Sequence, residues 1–484
     1  MVTTRGRVRP DSFVDSVALM QVTERVRALP GVRAAALIMA TDLNRRLLEE
    51  TDLLPPEAKQ AGPPDLVIAV RADSGAHADA ALDEAERFLA ARREEPGSLR
   101  SEPARSIVGA ARRLPGANLA VVSVPGPHAA AEAHQALSAG LHVFLFSDGV
   151  PLADEVRLKR RAQTRGLLVM GPECGTSLVN GVGLGFANRV RRGRVGLVAA
   201  SGTGLQEVSS LIHQLGAGVS QGVGTGGRDL DETVGGLSTL QVLSWLGRDR
   251  ETRVIGIVSK ASSAGVTERV LEAAAATGKP VVACLSGWRG TMPRGVQSAA
   301  TLEAAALGCV RALGRKRPAF AGPGRRSARA SRGRVLGLFT GGTLCEEARG
   351  IVGDAGRAFV DFGDAEYTRG RPHPIIDPSL RSAALARAGG DREVGVVLAD
   401  VILGDGAHPD PAGPLVAALG EARARARRAR RTLEVVAHVV GTDADPQGLA
   451  AQTETLRRAG VRVCATNRLA AELARDLVRG RGGR

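Results

Sequence analysis

Short runs of Val, Ile, Leu and Ala recur along the chain and alternate with longer stretches whose apolar residues fall at helical spacing. From residue 119 onward the alternation is regular. It predicts strands over 119–124, 142–146 and 167–170 with helices over 129–139 and 154–165. Further strands follow over 195–200, 254–258 and 281–285, and then over 335–339, 358–362, 394–401, 433–440 and 461–465. Continuous apolar strands alternating with helices predict parallel sheets covered on both faces. The first ninety-odd residues have a different rhythm. Val14, Val17, Ala18, Val22, Val26 and Leu29 set a helix over 13–29 that Pro30-Gly31 closes. Strand 34–39, helix 42–50, strand 66–70 and the Ala-rich helix 77–93 come next, and with a first strand over 4–8 the order suits a small ferredoxin-like α+β unit.

The 484 residues are too many for one core. The map is an N-terminal unit over 1–95, α/β units over 103–190 and 193–314, a basic Pro/Gly-containing linker over 315–334, and a third α/β unit over 335–480. The stretch 94–102, with Pro96-Gly97, reads as a further linker. Aromatic residues are only 2% of the chain, so its cores are built from Ala, Val and Leu, and exposed rings for stacking nucleobases are scarce.

The net charge of +15 invites a nucleic-acid reading. Its make-up argues otherwise: of 65 basic residues only Lys59, Lys159, Lys260, Lys279 and Lys316 are lysine, the signature of an Arg- and Ala-biased genome. The excess is also local, with nine basic and no acidic residues over 311–334 and a second run at Arg423, Arg425, Arg427, Arg428, Arg430 and Arg431. Such runs are usually solvated linkers or helix faces, and the expectation is no nucleic-acid partner. Five scattered cysteines without a C-x-x-C pair argue against a disulfide framework and a structural zinc site. No apolar run approaches the roughly 20 residues a bilayer needs, and the N-terminus lacks an apolar signal core, so a cytoplasmic protein with no membrane association is expected.

Ligands of parallel sheets bind where strand ends meet helix starts, because unpaired backbone N–H groups point outward there. Three turns carry the small residues such a site needs: Ser201-Gly202-Thr203-Gly204, then Gly222-Val223-Gly224-Thr225-Gly226-Gly227 followed by Arg228-Asp229, then Thr340-Gly341-Gly342-Thr343. Glycines let the backbone approach an anion and the hydroxyls can donate to it. Any one such turn is equally well an ordinary helix cap, and it is the repetition that favours anion sites.

Val121-Val122-Ser123-Val124-Pro125-Gly126-Pro127-His128, Gly149-Val150-Pro151, Met170-Gly171-Pro172-Glu173-Cys174-Gly175 and Gly193-Arg194-Val195-Gly196-Leu197-Val198 with Ser201-Gly202-Thr203 resemble, in order and spacing, the α-subunit of succinyl-CoA synthetase. Adding Asp15-Ser16-Val17, the 224–230 run, Thr340-Gly341-Gly342-Thr343-Leu344, Gly370-Arg371-Pro372-His373-Pro374 and Gly441-Thr442-Asp443, nearly the whole chain is similar to the FdrA family. These are acyl-CoA-synthetase-like proteins found near genes of allantoin and purine breakdown. The resemblance implies an α/β fold with a CoA-binding, dinucleotide-type Rossmann-like domain over 103–190 and two doubly wound flavodoxin-like domains of CoA-ligase type. It implies a place for CoA or a phosphorylated acyl group near Val124, Pro125 and Pro127. It also implies a phosphate site at Ser201, Gly202, Thr203 and Gly204 facing Gly224, Gly226 and Gly227, with Gly341, Gly342 and Thr343 as the third turn.

Departures from the synthetase narrow the chemistry. No glycine-rich phosphate turn lies within 1–70. The region matching the phosphorylated histidine, 293–299, has no histidine, and the strand end matching its supporting glutamate reads Val258-Ser259-Lys260-Ala261. A phosphate relay needs both that nucleophile and a carboxylate beside it. Lys260 would instead neutralise a phosphate or a developing oxyanion. No metal or nucleotide is assignable, so ligation would need a partner subunit of a hetero-oligomer. The FdrA resemblance further implies one component of an oxamate carbamoyltransferase, which exchanges carbamoyl between oxalurate and phosphate. Catalytic candidates are then Lys260, Arg371, which can fork a carboxylate or phosphate, and His373, whose plain alternative is to cap a loop between two prolines. Arg228 also stands beside an anion turn. Cys174 follows a strand where a thiolate would be favoured, yet packing is its commoner role. A scaffold that kept the fold and lost the chemistry is the non-enzymatic alternative.

Overall fold

In the computed structural model Thr3–Arg9 forms β1, Val32–Met39 β2 and Leu66–Ala72 β3, one antiparallel sheet of order β1-β3-β2. Helices α1 (Ser16–Arg27), α2 (Asp42–Glu50) and α3 (Gly75–Arg93) accompany it. α1 and α3 set Leu19, Val22, Val26, Ala78 and Leu82 against Leu37, Ile68 and Val70. On the opposite face Leu48 of α2 and Ala58 cover Val67 and Ala69. Leu66 through Val70 are therefore all buried, which is why this strand reads as an unbroken apolar run. β1 extends one residue beyond each end of the expected 4–8, and α1 begins at Ser16 rather than at 13. A ferredoxin-like unit runs βαββαβ. Here a helix separates β2 from β3, and the described residues supply three strands.

This sheet and its helices belong to one unit, Met1–Pro103 with Thr368–Pro372, and Ala104–Tyr367 with His373–Arg484 makes up a second. The structure describes residues 2–12, 14, 16–93, 104–315, 320, 332–368 and 371–479. The expected linker 94–102 and most of the basic segment 315–334 lie outside them.

The second unit opens with α4 (Ile107–Arg113), β4 (Leu119–Val122), α5 (Gly126–Ser138), β5 (His142–Leu145), α6 (Leu152–Thr164) and β6 (Val169–Met170). These give a parallel Rossmann-like sheet of order β4-β5-β6. β4 comes in short because the chain turns into α5 at Gly126, three residues before the expected helix start. A hairpin, β7 (Thr176–Val179) and β8 (Val182–Gly185), was not expected from the sequence; β7 pairs antiparallel with a strand of the next sheet.

That sheet contains β9 (Arg192–Ala199), β10 (Val219–Gly224), β11 (Val254–Lys260), β12 (Val281–Ser286) and β13 (Val296–Ser298), with α7 (Gly202–Gln214), α8 (Leu237–Arg248), α9 (Ala264–Ala276) and α10 (Leu302–Ala312). The last sheet contains β14 (Arg334–Phe339), β15 (Gly356–Asp361), β16 (Val394–Ile402), β17 (Glu434–Val440) and β18 (Arg462–Cys464). Its helices are α11 (Gly342–Val352), α12 (Ala365–Thr368), α13 (Ser379–Ala388), α14 (Ala412–Arg428), α15 (Leu449–Arg458) and α16 (Asn467–Arg479). The two sheets share one topology, β10-β9-β11-β12-β13 and β15-β14-β16-β17-β18, which is the 2-1-3-4-5 order of a flavodoxin-like fold.

One core joins them. Leu205, Val208 and Leu211 of α7, Ala305 and Ala306 of α10, Leu344 and Ala348 of α11, and Ala470 and Ala474 of α16 pack with residues of both sheets. Small Ala side chains at these positions let helices approach closely, which accounts for the scarcity of aromatics. Among the described residues no helix is long and apolar enough to cross a membrane.

Candidate functional site

β9 and β14 are the first strands of their two sheets, and each runs into a glycine turn and a helix. Ser201 caps α7, its hydroxyl accepting from Gly204 N at 2.9 Å. Gly341 is the capping residue of α11. The two turns meet: Ser201 Oγ lies 2.5 Å from Thr343 Oγ1, and a Cβ built on Gly341 would stand 3.0 Å from Thr203. Two helix N-termini, each carrying a partial positive charge, thus converge beside three hydroxyl side chains. The first turn was expected to face Gly224, Gly226 and Gly227, whose strand β10 lies beside β9 with Gly224 level with Ala199; it also touches the third turn.

The third turn already holds an anion of its own. Asp400, fully buried on β16, accepts from Thr340 N and Thr340 Oγ1 at 2.8 Å, from Gly341 N at 2.8 Å and from Arg381 Nη1 at 3.0 Å. The Gly341 N–H expected to meet a ligand is therefore engaged, which leaves Gly342 and Thr343 as the third turn's contribution. Asp361, at the end of β15, lies 2.6 Å from the position a Cβ on Gly342 would take and accepts from Gly363 N at 2.8 Å. Burial, followed by the negative charges of Asp400, Asp364 and Glu346, pushes its carboxyl up to about 6.

His373 reaches this corner. Its Nε2 is 3.1 Å from the Cβ position of Gly363, and its ring lies against Phe186 at 5.3 Å between centroids. Ile375 N donates to Nδ1 at 3.2 Å, so the ring caps its own loop and carries its hydrogen on Nε2. Burial pushes the imidazole down to about 4, which leaves it a neutral donor at neutral pH. Lys260 is 63% exposed and pairs with Glu346 of α11 at 2.8 Å rather than standing free for a phosphate. Arg371 is exposed; it falls in the N-terminal unit and His373 in the other.

The second turn is structural. A Cβ on Gly224 would be 2.3 Å from Thr176 O, and one on Gly226, at φ +88°, 2.3 Å from Pro172 O. Those glycines exist for close packing against the 171–176 turn; only Gly227 faces open space. Asp229 accepts from Lys159, Ser238 N, Thr239 N and Thr239 Oγ1, and buried Lys159 also meets Glu155 and Thr225 O. Arg228, expected beside an anion turn, donates to Glu155 and Val150 O. Val124, Pro125 and Pro127 lie exposed at the start of α5, whose N-terminus has no side-chain cap. Cys174 is buried and its thiol pushed up to about 11 by that burial, which fits the packing role.

Sequence reasoning missed a buried cluster behind the facing turns. Glu207, on the second turn of α7, accepts from His438 Nε2 of β17 at 2.8 Å, and His438 Nδ1 faces Cys464 O at 3.2 Å. Burial opposes a charge on His438, but Glu207 and that carbonyl outweigh it and raise its pKa. Glu347, on α11, accepts from Leu302 N and Asn467 Nδ2 and is pushed up to about 7 by burial. An isolated histidine inside a strand gave no signal of this pair; only the packing of β17 on α7 creates it.

The fold is α/β, and residues 338–477 match the CoA-ligase family, which places the chain in the CoA-ligase, acyl-CoA-synthetase-like class. Residues 1–104 match the AllF, heavy metal-associated domain. The chain belongs to the family of YahF, an uncharacterized protein of Escherichia coli strain K12, to which it is 40% identical over 97% of its own length and 98% of that protein. It is also 31% identical to succinate–CoA ligase [ADP-forming] subunit alpha 2 of Archaeoglobus fulgidus, over 35% of this chain and 59% of that one. The match to the corresponding α-subunit of Staphylococcus epidermidis is 29% over 38% and 61%, so the chain spans about three fifths of these relatives. Among solved structures, the dinucleotide-forming acetyl-coenzyme A synthetase 1 of Ca. Korarchaeum cryptofilum matches 77% of this chain and 84% of its own at 17% identity, with a TM-score of 0.35.

Proposed function

We propose that the chain is the ligand-binding component of an FdrA-type acyl- or carbamoyl-transferring enzyme, taking an acyl phosphate, carbamoyl phosphate or CoA where α7 and α11 begin. The observation that carries this reading is the convergence of two helix N-termini on Ser201, Thr203 and Thr343. Such ends favour a compact anion, and the hydroxyls add donors that can turn toward its oxygens. The exposed α5 N-terminus at Val124, Pro125 and Pro127 supports a second place for a CoA phosphate. Membership in a CoA-ligase-type family supports the same ligand class.

Between ligation and carbamoyl transfer, the site residues favour transfer. No histidine occupies 293–299, and Lys260 is held by Glu346, so a phosphate relay has no carrier. Carbamoyl transfer needs none: a phosphate oxygen attacks the carbamoyl carbon of oxalurate, the carbon–nitrogen bond breaks, and oxamate leaves with a proton. The neutral His373, with its hydrogen on Nε2, is suited to donate to the carbonyl oxygen as charge builds there. A partner subunit completes the enzyme, and purine or allantoin breakdown is its metabolic setting. Calorimetry of the whole chain with carbamoyl phosphate, acetyl phosphate and CoA tests the binding step. Heat with an acyl phosphate that falls about tenfold in affinity for Ser201→Ala or Thr343→Ala is expected, one hydrogen bond to a charged group being worth about 1.5 kcal/mol or more. No heat with any of the three at millimolar concentration overturns the proposal.

A further inference from the structure

We infer that the N-terminal unit keeps a heavy-metal-associated fold without a metal site, its own arginines and carboxylates closing the structure. Soft heavy metals are held by thiolates, thioethers and imidazoles. Residues 1–104, which match the heavy-metal family, contain no cysteine, since the first in the chain is Cys174. Their single histidine, His77, is pressed against Gly31, where an added Cβ would stand 2.2 Å from its Nδ1. Of their methionines, Met1 lies outside the described residues, and Met20 and Met39 lie on separate elements, α1 and β2. Among the described residues no three His, Cys, Asp or Glu side chains converge as a metal-binding group.

For a harder cation, the carboxylates around the sheet edge and α3 are engaged. Asp65 accepts from Asp11 N at 3.0 Å and Gly62 N at 2.8 Å, fastening the turn after β1 to the turn before β3. Asp73 pairs with Arg33, and Asp79, Asp83 and Glu86 pair with Arg5, Arg7 and Arg9. The last three form a ladder with matched spacing. Alternate residues on a strand advance about 6.8 Å, and residues four or three apart on a helix about 6 or 4.5 Å and share a face, so long arginines on one face of β1 reach successive carboxylates on one face of α3. Exposed ion pairs of this kind add little stability each. Their effect is to fix how α3 lies on β1 without an ion.

The test uses the full chain incubated separately with Cu(I) and Zn(II) against a chromogenic chelator, with hydrogen exchange read peptide by peptide. The expected result is unchanged exchange over 2–93. Any metal retained should be lost on replacing the cysteines of the second unit by alanine. Metal that slows exchange over 2–93, or that is retained by wild type and released by His77→Ala, overturns the inference. The exchange readout needs no variant, so it stands even if the cysteine replacements fail to fold.

Discussion

At Gly226 and Gly227, adjacent residues of one turn, the structure sets a crowded glycine beside an open one. Gly226 has a positive φ and a carbonyl 2.3 Å from where a Cβ would sit, whereas Gly227 meets nothing within 4 Å. Gly226→Ala should therefore destabilise the protein by about 1–3 kcal/mol, the usual cost of overpacking, with Gly227→Ala close to neutral. Urea unfolding checks both, and a Gly227→Ala protein that keeps its stability but loses acyl phosphate binding would return this turn to the ligand site. Asp400 makes the opposite case, a carboxylate serving as a resident anion. Asp400→Asn leaves Arg381 buried without its counter-charge and should cost roughly 3–5 kcal/mol, read by the same method.

At the scale of elements, the buried groups between α7, α11 and β17 tie stability to pH. Glu347 sits at about 7 in the folded chain against 4.5 ordinarily, so across that interval unfolding releases a proton and stability falls as pH rises. The raised His438 acts in the same sense. Its contribution is complete below about 6.5, its unfolded value, and is lost as pH climbs through the folded one. His373, pushed down to about 4, acts oppositely and costs stability as pH falls below about 6.5. Glu347→Gln should accordingly gain on wild type between pH 5 and pH 8 in paired urea titrations. His438→Ala should lose on the order of 3–5 kcal/mol near neutrality because Glu207 is left buried and unpaired.

These elements also show what a sequence can and cannot say. All five strands of the last sheet were legible, because each is mainly apolar, Val394–Ile402 being buried along its whole length with Asp400 as its one charged residue. β10 was not, since Val219–Gly224 carries two glycines and two polar residues and reads as the beginning of a turn. Of the anion turns, the first and third were rightly singled out as βα junctions. Their pairing with one another was invisible, since 142 residues separate Ser201 from Thr343.

Across the whole molecule, the α/β sheets of the second unit share a core, with α7, α10, α11 and α16 between two flavodoxin-like sheets. Loss of packing in either sheet should then be felt by both: Leu205→Ala, which removes a fully buried side chain from α7, should cost roughly 2–5 kcal/mol. Hydrogen exchange should quicken on strands β14 and β16 as well as on β9; quickening confined to β9 would refute a shared core. The charge that dominates the composition is dispersed at this scale. Arg423 caps the carbonyls of Ala459 and Gly460, Arg431 those of Val394, Ala388 and Gly389, and Arg381 lies buried beside Asp400. Much of the arginine excess is thus fastened to backbone oxygens and carboxylates.

The sequence by itself determined the alternation of buried strands and Ala-rich helices, hence the α/β class, because burial on both faces of a parallel sheet leaves a local apolar record. It also determined that no histidine stands over 293–299 and that residue 260 is a lysine, which is a matter of residue identity alone. Only tertiary structure decided which turns face one another, that Asp400 occupies one of them, and that Glu207 meets His438. Those are contacts between segments far apart in the chain, and the free energy that selects them lies in the packing of one sheet on the helices of the other.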